Sequence, residues 1–125
     1  MIPISESAVS VGTSYTTLAT IYPGGGHRDL VLRISSAAGS ATLTDFRLTV
    51  MAHADDSDFE PLLGDTDWGA GTSDTLVFCT STVPNTLAAS GDAMVKVNIA
   101  GFYAVRLDAK VAASTASITL QGQAV

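Results

Sequence analysis

Apolar and polar residues alternate with period two along most of this chain, most plainly over Gly101-Phe102-Tyr103-Ala104-Val105-Arg106-Leu107-Asp108-Ala109-Lys110 and again over Ala116-Ser117-Ile118-Thr119-Leu120-Gln121-Gly122. A strand with one buried and one wet face reads in this way. The C-terminal third is therefore expected to form a β-hairpin packed on a core. The same alternation places strands near 7–11, 14–22, 29–35, 43–53, 75–83, 93–99, 102–110 and 115–123. In the third of these Leu30, Leu32 and Ile34 share a face, with Val31 and Arg33 opposite. In the fourth, Phe46, Leu48, Val50 and Ala52 form the inward row and Asp45, Arg47, Thr49, Met51 and His53 the outward one. Val95, Val97 and Ile99, then Tyr103, Val105 and Leu107, extend the core.

Glycine and proline punctuate the strands at Pro23-Gly24-Gly25-Gly26, Ala38-Gly39-Ser40, Pro84-Asn85, Ser90-Gly91-Asp92 and Ala100-Gly101. No segment carries a sustained helical stripe. About eight short strands divided by turn signals predict an all-β, antiparallel two-sheet sandwich, most simply a jelly roll, with an immunoglobulin-like sandwich as the runner-up. A chain of 125 residues is the length of one domain. The expected organisation is an N-terminal arm over residues 1–6 and a single sandwich over 7–125, with an acidic loop at about 55–74.

Composition sharpens this picture. Charged residues make up 14% of the chain, against about 25% in an ordinary soluble domain. Ser, Thr, Ala and Gly fill the difference, and a surface so poor in charge suits contact with further copies of the chain or with a large partner. No apolar run approaches the 18 residues of a membrane span, so no membrane partner is expected. The formal net charge of −6, with six basic residues scattered singly as Arg28, Arg33, Arg47, Lys96, Arg106 and Lys110, argues against nucleic acid. A phosphate backbone needs a basic stripe. Cys79 is the one cysteine, which excludes an intrachain disulfide. Within Leu76-Val77-Phe78-Cys79 it reads as a small buried hydrophobe. Met1-Ile2-Pro3-Ile4-Ser5-Glu6 lacks the basic start and apolar middle of a secretory signal, so synthesis in a cytoplasm is expected.

Two segments break the alternation and are candidate functional regions. The arm offers Ile2, Pro3 and Ile4 to a partner, as an extended segment laid on a neighbouring subunit. The loop from Asp55 to Asp74 holds seven of the twelve acidic residues and the one tryptophan, Trp68. Asp56, Asp58 and Glu60 are candidate calcium ligands, yet the run lacks the glycine turn and distal glutamate of a calcium-binding loop. Trp68, flanked by Asp65 and Asp67, has the composition of a sugar-stacking platform with hydroxyl acceptors, and equally of a residue closing one end of the core. Catalysis finds little support. The glycines before His27 lack the spacing and terminal Lys of a phosphate loop, and no Gly-x-Ser-x-Gly elbow occurs. Nothing in the spacing of His27, His53 and Cys79 suggests that they converge on a metal. No enzyme activity and no cofactor are expected.

A short, acidic, Ala/Ser/Thr-rich, lysine-poor and cysteine-poor chain that starts at Met1 and ends in the strand Ile118 to Val125 resembles the small virion proteins of tailed bacteriophages. More narrowly it resembles their capsid decoration, or cement, proteins, several of which are jelly rolls seated on symmetry axes of the head. The resemblance covers overall composition and the style of the Gly101-Phe102-Tyr103-Ala104-Val105-Arg106-Leu107 segment. It implies a non-enzymatic protein on the capsid exterior that bridges major capsid proteins as a dimer or trimer. The Tyr-x-Val-Arg-Leu strand is also similar to strands of carbohydrate-binding jelly rolls, which leaves a glycan-binding module as an alternative. A tail or head–tail connector component is a further one.

Overall fold

Short β-branched and aliphatic runs with period-two patterning, cut by Gly, Pro and Ser, have one economical solution: each strand buries its apolar row against a second sheet. A computed structural model, which describes residues 1–61 and 87–125, has this arrangement. The described strands are β1 (Ile2–Val11), β2 (Thr16–Ile21), β3 (Asp29–Ser36), β4 (Leu43–Met51), β5 (Glu60–Pro61), β6 (Asp92–Asn98), β7 (Ala104–Val111) and β8 (Ala116–Ala124). They form two antiparallel four-stranded sheets, ordered β1-β8-β3-β6 and β2-β7-β4-β5. Apart from β4 and β5, each pair of consecutive described strands is divided between the two sheets, a winding consistent with a jelly roll.

The core lies between the sheets. Leu30, Leu32, Ile34, Ile118 and Leu120 come from one side and Leu43, Phe46, Leu48, Val105 and Leu107 from the other, all essentially without solvent access. Each large side chain buried in this way contributes about 1.5–3 kcal/mol of transfer free energy. At the centre of the first sheet β8 and β3 approach so closely at Gly122 that a Cβ there would collide with the Val31 carbonyl oxygen and lie 2.9 Å from Leu32 Cα. Glycine is needed here because there is no room for a side chain. Leu87 and Leu43 exchange main-chain hydrogen bonds of 2.8 and 3.0 Å, tying the chain entering β6 to the start of β4.

The expected strand positions at 29–35, 43–53, 93–99, 102–110 and 115–123 correspond to β3, β4, β6, β7 and β8, and the inward rows of β3 and β6 are as anticipated. The expected strand at 75–83, and with it Cys79, lies outside the described residues. Four expectations need correction. Ala52, expected in the inward row of β4, is exposed just past the end of that strand. The C-terminal third is not a hairpin: β7 pairs with β2 and β4, while β8 pairs with β1 and β3 in the other sheet. Tyr103 is 43% exposed and precedes β7 instead of belonging to its core row. Residues 2–6 are not an arm but the first half of β1, in register from Ile2 opposite Ala124 to Glu6 opposite Leu120. Ile4 is buried in the core, and that burial holds the segment down.

Candidate functional site

Three surface features gather the polar and aromatic groups that could recognise something. The first is a cleft of about 590 Å³ at one end of the sandwich, formed where the β2–β3 connection, the residues after β4 and the β6–β7 turn meet. Main-chain hydrogen bonds brace it: Ile99 N–H donates to the Arg28 carbonyl at 2.7 Å and Tyr103 N–H to the Met51 carbonyl at 2.9 Å. Gly101, at φ 90, makes the turn between β6 and β7 in a conformation that side chains disfavour. His27, Arg28, His53, Phe102 and Tyr103 line the cleft. Tyr22 packs edge-on against Tyr103, their centroids 5.6 Å apart, and both rings remain substantially exposed.

The two imidazoles thus share one cleft, which their spacing in the sequence did not suggest. Convergence comes from the β2–β3 connection and the segment after β4, which meet at one end of the sandwich. His27 Nδ1 donates to the Pro23 carbonyl, since a carbonyl only accepts. His53 Nδ1 accepts from the Asp55 N–H at 3.1 Å. His53 Nδ1 also lies 3.5 Å from Asp55 Oδ2. Among the described residues no hydroxyl or thiol is hydrogen-bonded to either ring, and no three His, Cys, Asp or Glu side chains come together as a metal site. The cleft offers aromatic walls and hydrogen-bonding groups.

The second feature is a polar network on the outward face of the β2-β7-β4-β5 sheet. Asp108 in β7 lies there only 2% exposed. Arg106 Nε stands 3.0 Å from its Oδ1 and Arg47 Nε 3.5 Å from its Oδ2. The hydroxyls of Thr17 and Thr49 donate to the same carboxylate at 3.2 and 3.3 Å. Arg47 stacks on the Tyr15 ring at 3.7 Å and Arg106 on the Phe59 ring at 4.6 Å, so the rings shield the pair from water. This network braces the sheet, with Arg47 Nε buried beside the carboxylate but without a hydrogen-bond partner of its own.

The third feature is the outward strip along β1 and β8. Pro3, Ser5 and Ser10 on β1 stand opposite Gln123, Gln121 and Ser117 on β8, with Thr119 accepting the Ala8 N–H at 3.2 Å. None of these side chains carries a charge; the one charge of β1, Glu6, is exposed opposite Leu120, in phase with the inward row. The charges of this sheet's outer face fall on the other half, at Asp29, Arg33, Asp92 and Lys96.

Of the residues singled out from sequence, Asp56 uses Oδ2 to accept the N–H groups of Ala52 and His53 at 2.8 and 3.0 Å, closing a turn. Asp58 accepts only from Ser57, at 3.4 Å, and Glu60 is in β5 opposite Val50. The three line one open surface pocket with Ser57, but among the described residues no three acidic side chains come together as a metal site. Ile2, Pro3 and Ile4 belong to β1, as described above. Asp65, Asp67 and Trp68 lie outside the described residues.

The described residues define an antiparallel two-sheet sandwich whose β1-β8 strip is polar. No family model matches the chain, and no curated protein matches it. Among solved structures, the crystal structure of SPBc2 prophage-derived protein YomS aligns over 98% of this chain and 96% of that chain, with a TM-score of 0.49 and 15% identity. A likeness of that degree assigns no residue and no role. Among the described residues no helix is long and apolar enough to cross a membrane.

Proposed function

We propose that this chain is a non-enzymatic structural protein of a tailed-phage virion, which decorates the capsid exterior and stabilises it by bridging major capsid proteins. The observation that carries the reading is the uncharged β1-β8 strip. A face of Ser, Thr and Gln side chains across two paired strands can be covered by protein without stripping water from any ion, and depletion of charge marks the centres of protein interfaces. The jelly-roll winding and the Ala/Ser/Thr-rich, charge-poor composition fit the virion proteins that the sequence resembles. Each copy would bury a modest area, and many symmetry-related copies would act together to hold the shell. With Ile4 in the core, this face replaces the N-terminal arm as the proposed capsid contact.

The test is to add the purified chain to empty, expanded heads of the phage whose genome carries its gene, and to measure co-sedimentation and the temperature of head rupture. Saturable binding with a raised rupture temperature is expected. Ser10→Glu, which puts a charge opposite the uncharged Ser117 of the strip, should weaken binding by about tenfold or more. Heads that bind no chain overturn the reading.

A glycan-binding module is the second reading, favoured by the end cleft with its exposed tyrosines and its two imidazoles. Aromatic faces stack on sugar rings, and flanking donors and acceptors orient the hydroxyls. It predicts that saccharides perturb the NMR signals of His27, His53 and Tyr103; unchanged signals across a panel of saccharides overturn it.

A further inference from the structure

An unpaired sheet edge is a row of main-chain donors and acceptors awaiting a partner, and proteins usually blunt it. Three of the four edges here are blunted or short. β1 carries Pro3, which has no N–H, and a bulge between Glu6 and Val9 where Ala8 takes φ 51. The register of β2 against β7 breaks between Thr17 and Ala19, and β5 is two residues long. The fourth edge, β6, runs from Asp92 to Asn98 without proline or bulge, in unbroken register with β3. Among the described residues nothing pairs with its outer side.

The hydrogen bonding fixes which groups are free. Ser36 N–H donates to the Gly91 carbonyl and Ile99 N–H to the Arg28 carbonyl, so the odd-numbered positions of β6 direct their main-chain groups toward β3. By the alternation of an antiparallel ladder, Asp92, Met94, Lys96 and Asn98 direct theirs outward. The same four side chains are exposed on the outer face, Met94 by 46%. Ser35 Oγ donates to Asp92 Oδ1 and holds that carboxylate on the face, and Arg33 lies opposite Met94 on β3.

We propose that β6 pairs with β6 of a second copy of this chain about a two-fold axis at Met94, joining the two β1-β8-β3-β6 sheets into one continuous antiparallel sheet. Charge complementarity selects both the occupant and the register. Centred on Met94, the pairing sets Asp92 of each copy directly opposite Lys96 of the other, so two ion pairs flank a Met94–Met94 contact. Each opposed pair uses residues whose main-chain groups are free and exchanges two hydrogen bonds. Shifting the axis to Asp92 opposes two carboxylates, and shifting it to Lys96 opposes two ammonium groups; like charges directly opposite are unfavourable. Axes at Ala93 or Val95 leave both charges unpaired with each other. The contact is isologous and closes as a dimer. It leaves the β1-β8 strip at the far edge of each sheet open, and does not depend on the capsid reading.

An edge-to-edge contact is small and falls in the weak class of interfaces. The test is sedimentation equilibrium of the full chain, where a dimer with Kd on the order of 100 µM or tighter is expected. Lys96→Asp alone and Asp92→Lys alone should each weaken self-association by at least about tenfold. Mixed together they should form a heterodimer, because the all-acidic edge then meets the all-basic one. Circular dichroism of each variant shows that it is folded. Met94→Cys in a Cys79→Ser background should oxidise to a covalent dimer, since opposed hydrogen-bonded residues have Cα atoms about 5.5 Å apart, within disulfide range. A chain monomeric throughout that range, or an oligomer indifferent to both charge reversals, overturns the proposal.

Discussion

Asp108 occupies a polar position of β7, between Leu107 and Ala109, where alternation alone promises a solvated carboxylate. It is instead enclosed by Arg47, Arg106, Thr17 and Thr49 under the rings of Tyr15 and Phe59. Two guanidinium groups face one carboxylate, so removing it leaves both cations without their counter-charge. The full cost of orphaning a buried charge is about 3–5 kcal/mol. The side chains of Arg47 and Arg106 retain 21% and 29% exposure and can turn toward water. Asp108→Ala is therefore expected to destabilise the fold by about 2–3 kcal/mol, read as a lower urea midpoint with an unchanged slope. A variant as stable as the parent would mean that the network contributes nothing net.

At the scale of elements, Pro3 and the polar run Ser5-Glu6-Ser7 break the alternation of β1, so that sequence alone splits it into an arm and a short strand. Proline is tolerated there because β1 is an edge strand whose outer side needs no ladder hydrogen bond. The bulge at Ala8 resets the inward phase, so that Ile4 and Val11, an odd number of residues apart, both face the core. That phase change is invisible to a period-two reading. Deleting residues 2–6 removes Ile4 from the core and bares half of the β8 edge. The deletion should cost about 2–5 kcal/mol, as loss of a buried Ile side chain does, and promote aggregation. Chemical denaturation and sedimentation velocity on the truncated chain check both. Unchanged stability would restore the view of these residues as a free arm.

For the whole molecule, the winding makes nearly every pairing non-local: β1 joins β8, β2 joins β7 and β3 joins β6. Loop closure must be paid before such contacts form, so refolding on the millisecond-to-second scale is expected, not the microseconds of a helical bundle. Stopped-flow circular dichroism after dilution from urea measures it. A dominant phase faster than about 100 µs would contradict a transition state built from these distant pairings.

What the sequence determined by itself is the local part of this protein. Period-two alternation in Leu30 to Ile34, Phe46 to Val50 and Ala93 to Val97 decides that these segments are strands and which face each buries, because adjacent side chains of an extended chain must point to opposite sides. The scarcity and scatter of charge are likewise written in composition. Tertiary structure alone decided which strands become neighbours, and so separated β7 from β8, placed His27 and His53 in one cleft, and buried Asp108 on an outer face. It also left β6 as an edge with Asp92 and Lys96 at mutually complementary positions. These outcomes depend on contacts between residues tens of positions apart, whose energies no local pattern records.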